Sequence, residues 1–259
     1  MSPRHVQRRE LVAMLRLAWP LIVAQVAASG QGLIEVVLAG HRDAETLGAV
    51  ALGANVGMVP LMMMIGTMYA VPASVAQLDG AGRRGAVAPL AVQAVWLGLA
   101  LGLLALPLVR WGGPWALGLA GIPAPLAAAA GSFLRAVCWA FPAVGLFVGC
   151  RGVSDGVSMP APTMVLSLSG LVLLLPLGYA LMFGAAGLPA FGAAGVGWSA
   201  TIVNWMQAGA YLAFLRWGAR YRGLGWASVR RLLPDPRTLG GLLRVGVPMG
   251  LAILMEVGM

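Results

Sequence analysis

The sequence predicts an all-α, polytopic membrane protein, and three observations lead there. Hydrophobic residues fill 60% of 259 positions and charged residues only 10%, against about a quarter in soluble domains. Long uncharged runs recur, the longest being the 60 residues from Gly156 to Leu215. The basic residues, 17 arginines and no lysine, fall mostly between those runs, as topology-setting charges do. A net charge of +9 therefore marks a membrane protein here, with no nucleic-acid partner expected.

The chain opens with Arg4, Arg8 and Arg9, then turns apolar. Glu10, Arg16 and the lack of an A-x-A-like cleavage site favour an uncleaved first helix over a signal peptide. From Leu17 to Gly40 the only charge is Glu35, and 24 helical residues rise roughly 36 Å, enough for a bilayer core of about 30 Å. Ala28, Gln31, Gly32 and Glu35 fall at i, i+3, i+4 and i+7, one stripe of small and polar residues. A carboxylate inside such a span costs about 2.5–3.5 kcal/mol, so it marks a functional site by default.

The second span, Leu47 to Leu78, is broken by Pro60 and Pro72, and Asn55 is its most buried-looking polar group. A short turn from Asp79 to Gly85 leads to the third span, Gly85 to Val109. In it Gly98 and Gly102 make a small-xxx-small face for close helix packing. Trp111 to Pro125, rich in glycine and proline, reads as a loop or interfacial segment. Leu126 to Cys150 is the fourth span, interrupted by Arg135. Spans near 161–183 and 194–215 form a hairpin. Residues 1–215 thus make a six-helix membrane lobe, 216–238 a basic connector, and 239–259 the start of a seventh helix.

Twelve arginines lie on the side of the N-terminus and the connector, against Arg42 and Arg110 opposite, which predicts a cytoplasmic N-terminus. L-R-L-A-W-P from Leu15 returns as L-R-V-G-V-P from Leu243, the arginines 228 positions apart. The echo suggests one repeat followed by the start of another.

Only Glu35 and Glu256 are acids inside spans, and each must be neutralised by a proton, a cation or an arginine. Both are candidate cation or proton sites. Arg135 is an alternative, structural partner for Glu35, and Arg244 is the only base near Glu256 in sequence. Gln25, Gln31 and Asn55 are candidate cavity-lining residues. G-V-S-D-G from Gly152 matches a nucleophile-elbow pattern, but the only histidines, His5 and His41, precede it, so no catalytic site is expected. Neither a metal site nor a P-loop is expected from two histidines and no lysine, and Cys138 and Cys150 form no redox motif.

W-P-L-I-V-A-Q (Trp19 to Gln25), G-L-I-E-V-V-L-A-G (Gly32 to Gly40), P-A-S-V-A-Q-L-D-G-A-G (from Pro72), F-P-A-V-G-L-F (from Phe141), R-G-V-S-D-G (from Arg151), G-L-P-A-F-G-A-A-G-V-G-W-S-A-T (from Gly187) and V-P-M-G-L-A-I-L-M-E (Val247 to Glu256) stand in order along the chain. In that order they resemble the multidrug and toxic compound extrusion (MATE) transporters, NorM-like branch. The resemblance implies a twelve-helix transporter of two six-helix lobes, the second lobe being this lobe's partner. It further implies a bacterial cytoplasmic (inner) membrane protein that exports small organic, often cationic compounds against Na⁺ or H⁺, without a cofactor. A lipid-linked oligosaccharide flippase of the same superfamily and an inactive truncated membrane protein are the alternatives. The family's first-helix acid is usually Asp before Thr, but Glu35 precedes Val36 here. Leu174 and Gly178 stand where the fifth helix usually carries asparagines. That thinning shifts the expected coupling role toward Glu256.

Overall fold

The computed structural model describes residues 3–184, 187, 189–226 and 233–258. Ten α-helices and no strands occur among them: α1 (Pro3–Arg42), α2 (Ala44–Met68), α3 (Ala70–Gly80), α4 (Val87–Pro107), α5 (Gly113–Leu119), α6 (Ala124–Val137), α7 (Ala140–Gly156), α8 (Ala161–Phe183), α9 (Ala193–Trp217) and α10 (Pro236–Gly258). Five continuous or gently bent stretches are long and apolar enough to cross a membrane: Ala18–Arg42, Ala44–Gly80, Arg84–Leu119, Ala161–Phe183 and Pro236–Glu256. The pair α6–α7, bent by 47°, makes a sixth. The 25 residues of α9 are long enough but less apolar. Ser199, Thr201 and Gln207 are buried on it, each donating to a backbone carbonyl. Satisfied in this way, they no longer penalise insertion.

Two helix breaks share one cause. Met68 ends α2 four residues before Pro72, and α6 gives way to α7 around Cys138, four residues before Pro142. A proline ring clashes with the carbonyl four residues back and offers it no donor. At Cys138 the amide of Phe141 fills the gap with a 3.3 Å bond of the tighter i+3 type. Pro142 therefore sets the fourth-span break, where the sequence had suggested Arg135. Between Trp111 and Pro125 the expected loop is largely helical. A π-turn over Leu108–Gly112 leads into α5, with Pro114 near its start, where a missing N–H costs nothing.

α4 packs on α7, α1 on α8, and α9 on α6, α7 and α8. Glycines permit the closest approach. A Cβ on Gly98 would lie 2.1 Å from the Gly145 carbonyl oxygen, and one on Gly102 would lie 2.5 Å from that of Phe141. The small-xxx-small face read from Gly98 and Gly102 is thus the α4–α7 contact. α10 docks chiefly on α2, its Gly246 and Gly250 against the backbone of Met63, Gly66 and Thr67.

Apolar side chains gather in two cores. One, at the arginine-rich end, joins Val71, Val75, Val153, Tyr211, Tyr221 and Leu242. The other, at the opposite end, joins Leu38, Val50, Phe133, Leu134, Met182 and Val196. Two buried hydroxyl pairs tie the first together: Tyr221 with Ser154 at 2.8 Å and Tyr211 with Thr163 at 2.6 Å. At the start of α10, Gln93 of α4 bonds the Leu233 carbonyl and the Asp235 amide, which fixes where that helix begins. Part of the 216–238 connector lies outside the described residues.

Candidate functional site: a polar seam between α1, α8 and α9

The seam is built around a glycine. Gly170 leaves the side of α8 bare, and the amides of two glutamines reach its backbone there. Gln31 Nε2 of α1 donates to the Ser167 carbonyl at 3.3 Å, and Gln207 Nε2 of α9 donates to the Leu166 carbonyl at 2.8 Å. A Cβ on Gly170 would stand 2.0 Å from Gln207 Nε2 and 2.8 Å from Gln31 Nε2, so no other residue fits without moving both amides. Two turns further along α8, Gly178 meets Leu38 of α1 and Ser199 of α9. Between these two approaches Leu174 and Val203 are buried, while Asn204 is half-buried and donates to the Ala200 carbonyl at 2.8 Å.

Glu35 lies on α1 between Gln31 and Leu38, and it is half-buried. Among the described residues it makes no hydrogen bond or ion pair. The ion pairs there are Arg42–Asp43, Arg84–Asp79 and Arg151–Asp155. Arg135 is therefore not the partner of Glu35. It is exposed on α6, its guanidinium lying over Gly131 of its own helix. Among the described residues no arginine bonds Gln31, Asn204 or Gln207 either. The carboxylate is left in an apolar span with amides for company and no fixed counter-charge, an arrangement suited to a transient cation or proton.

The other sequence candidates fall elsewhere. Gln25 is exposed on α1, a turn and a half before the seam. Asn55 is also exposed, which corrects the expectation of burial: its neighbours Gly53 and Gly57 take the inward positions, against Phe133 and Phe141. Glu256 is exposed near the end of α10 and has no partner among the described residues, so neither Arg244 nor any other base pairs with it. The fifth-helix positions Leu174 and Gly178 are taken up by packing, the first buried and the second pressed by Leu38. Sequence reading missed Asn204 and Gln207. Their i, i+3 spacing inside an uncharged run was the signal available.

Outside the spans, Arg42 ties α1 to the far end of α8 by bonding the Met182 carbonyl and packing over Gly192. Asp43 caps α2 through the Thr46 amide at 2.6 Å, and that bond holds its carboxyl below the usual carboxylate range.

Comparison with known proteins agrees with this architecture. The profile of the MatE family matches residues 20–180. The chain is 38% identical over 245 residues to a probable multidrug resistance protein NorM of Xanthomonas campestris pv. campestris, covering 94% of this chain and 53% of that protein. To the multidrug resistance protein PmpM of Pseudomonas aeruginosa it is 36% identical over 252 residues, covering 96% and 52%. It spans about half the length of the curated relatives it matches. In fold it is similar to the eukaryotic MATE transporter AtDTX14, with a TM-score of 0.82 at 18% identity over 96% of this chain and 54% of that one. An outward-facing MATE family transporter of the MOP superfamily gives 0.81 at 19% identity, covering 93% and 52%. Matched by the family profile over more than half its length and carrying the helical bundle of its solved members, the chain belongs to the MatE family of membrane transporters.

Proposed function

We propose that this chain forms one lobe of a cation-coupled antiporter, which exports organic and often cationic compounds across a bacterial cytoplasmic membrane against Na⁺ or H⁺. The second wall of the cavity comes from a second six-helix lobe. The observation that carries the coupling is Glu35, a carboxylate in a membrane span that no base neutralises among the described residues, one helical turn from Gln31 of the seam. Glu256, likewise unpaired among the described residues, is the second coupling acid. The arginine bias supports a cytoplasmic N-terminus and connector. The names of the relatives, multidrug resistance proteins, support the substrate class.

The test is ion-gradient-driven efflux from proteoliposomes holding the full-length protein, with Glu35→Gln and Glu256→Gln beside the wild type. Glu256→Gln abolishes coupled efflux. Glu35→Gln slows it by roughly tenfold or more, the scale of one lost contact to a charged group at about 1.5 kcal/mol. Protein yield stays at the wild-type level for Glu35→Gln, because no ion pair is broken. Wild-type coupled efflux in both variants would refute the proposal.

A further inference from the structure

Away from the seam, on the outer side of the bundle, a groove of about 470 Å³ runs between α4 and α9 at their arginine-rich ends. α7 packs against both helices and keeps them apart. The walls are apolar: Ala91, Val92 and Val95 from α4, Leu212 and Ala213 from α9. Gly209 leaves one wall open, since a Cβ placed there meets nothing within 4 Å. The size is within the range of small-ligand sites, and the chemistry of the walls suits a hydrocarbon chain.

The mouth has a different character. Trp96, Trp217 and Trp226 line the groove with Arg216. Trp217 is 73% exposed, in the manner of the aromatic residues that mark a membrane–water interface. Arg216 is exposed and has no ion pair among the described residues. The indole N–H of Trp226 is buried yet meets no acceptor among the described residues. A guanidinium with no ion pair among the described residues, beside a hydrocarbon groove, calls for a molecule with an anion on an apolar tail. α10 docks chiefly on α2.

We propose that the α4–α9 groove is a binding site for an anionic phospholipid, one acyl chain lying along Val92, Val95 and Leu212 and the phosphate meeting Arg216. Basic residues at the membrane surface next to an apolar cleft are the general chemistry of such lipid sites. The site is separate from the transport seam and does not depend on the coupling mechanism.

Native mass spectrometry of the full-length protein, delipidated and then given phosphatidylglycerol or phosphatidylcholine with identical acyl chains, tests it. Wild type retains phosphatidylglycerol about fivefold better, the effect of one basic residue at an anionic surface. Arg216→Gln brings the two lipids to parity. Gly209→Phe fills the groove from a position with open space above it, and lowers retention of both lipids while efflux persists. Equal retention of the two lipids by wild type, unchanged retention in Gly209→Phe, or a groove closed by a second copy of the chain would each overturn the proposal.

Discussion

Glu35 and the two glutamines show how one missing side chain organises a site. Because Gly170 has no Cβ, the Leu166 and Ser167 carbonyls are reachable from the side, and two amides from different helices meet there. Gly170→Ala would put a methyl group 2.0 Å from Gln207 Nε2. Overpacking of this kind costs about 1–3 kcal/mol, so thermal stability falls and coupled efflux falls with it. Gln207→Leu tests the same contact from the other side. It removes a buried 2.8 Å bond and costs roughly 1 kcal/mol, measured as a drop in melting temperature in detergent. If both variants match wild type in stability and efflux, the glutamine pair is incidental to the seam.

At the scale of helices, glycine positions differ sharply in what they tolerate. Gly98 faces backbone, so Gly98→Leu must separate α4 from α7 and sits at or above the top of the 1–3 kcal/mol overpacking range. Gly118 on α5 faces open space, so Gly118→Leu leaves folding intact. Fluorescence-detected size-exclusion chromatography separates the two outcomes: monodisperse protein is lost for the first and kept for the second. The helix caps carry the pH dependence outside the spans. Asp43 is held low by the Thr46 amide, and Asp235 by the Thr238 hydroxyl and the Arg237 amide. Both carboxyls have folded values below their unfolded ones. Their stabilisation is therefore complete above the unfolded value and is lost as pH falls through the depressed folded value. Asp43→Ala flattens the acid limb of a melting-temperature profile, and an unchanged limb would exclude the cap as its source.

For the whole molecule, the inferred topology puts 216–238 on the cytoplasmic side. In intact cells, a single cysteine at 222–230, on a background lacking Cys138 and Cys150, resists an impermeant thiol reagent and reacts after permeabilisation. Strong labelling before permeabilisation would invert the topology. The proposed two-lobe architecture predicts that residues 1–259 expressed alone confer no drug resistance above vector, and resistance from them alone would overturn it. The docking of α10 on α2 through Gly66, Gly246 and Gly250 shows where the helix after the connector joins the lobe.

The sequence by itself determined the membrane class and most helix positions, because span length and hydropathy are local properties that insertion reads directly. It determined the Gly98–Gly102 contact face for the same reason, since small residues one turn apart admit only a close neighbour. Composition misled at 111–125, where glycine and proline usually mean loop, yet Pro114 sits at a helix start and costs nothing. What only the tertiary structure decided is who faces whom. Spacing put Gln31 and Glu35 on one stripe with Ala28 and Gly32, but the last two are exposed, and what Gln31 meets is α8, 136 residues away. Arg135 was a plausible counter-ion in sequence, yet it is exposed and lies over Gly131 of its own helix, and Asn55 was a plausible inward group until Gly53 and Gly57 took the buried positions. Asn204 and Gln207 carry no charge to advertise them. Their place in the seam follows from the packing of three helices, a sum of contacts distant in sequence that no local pattern encodes.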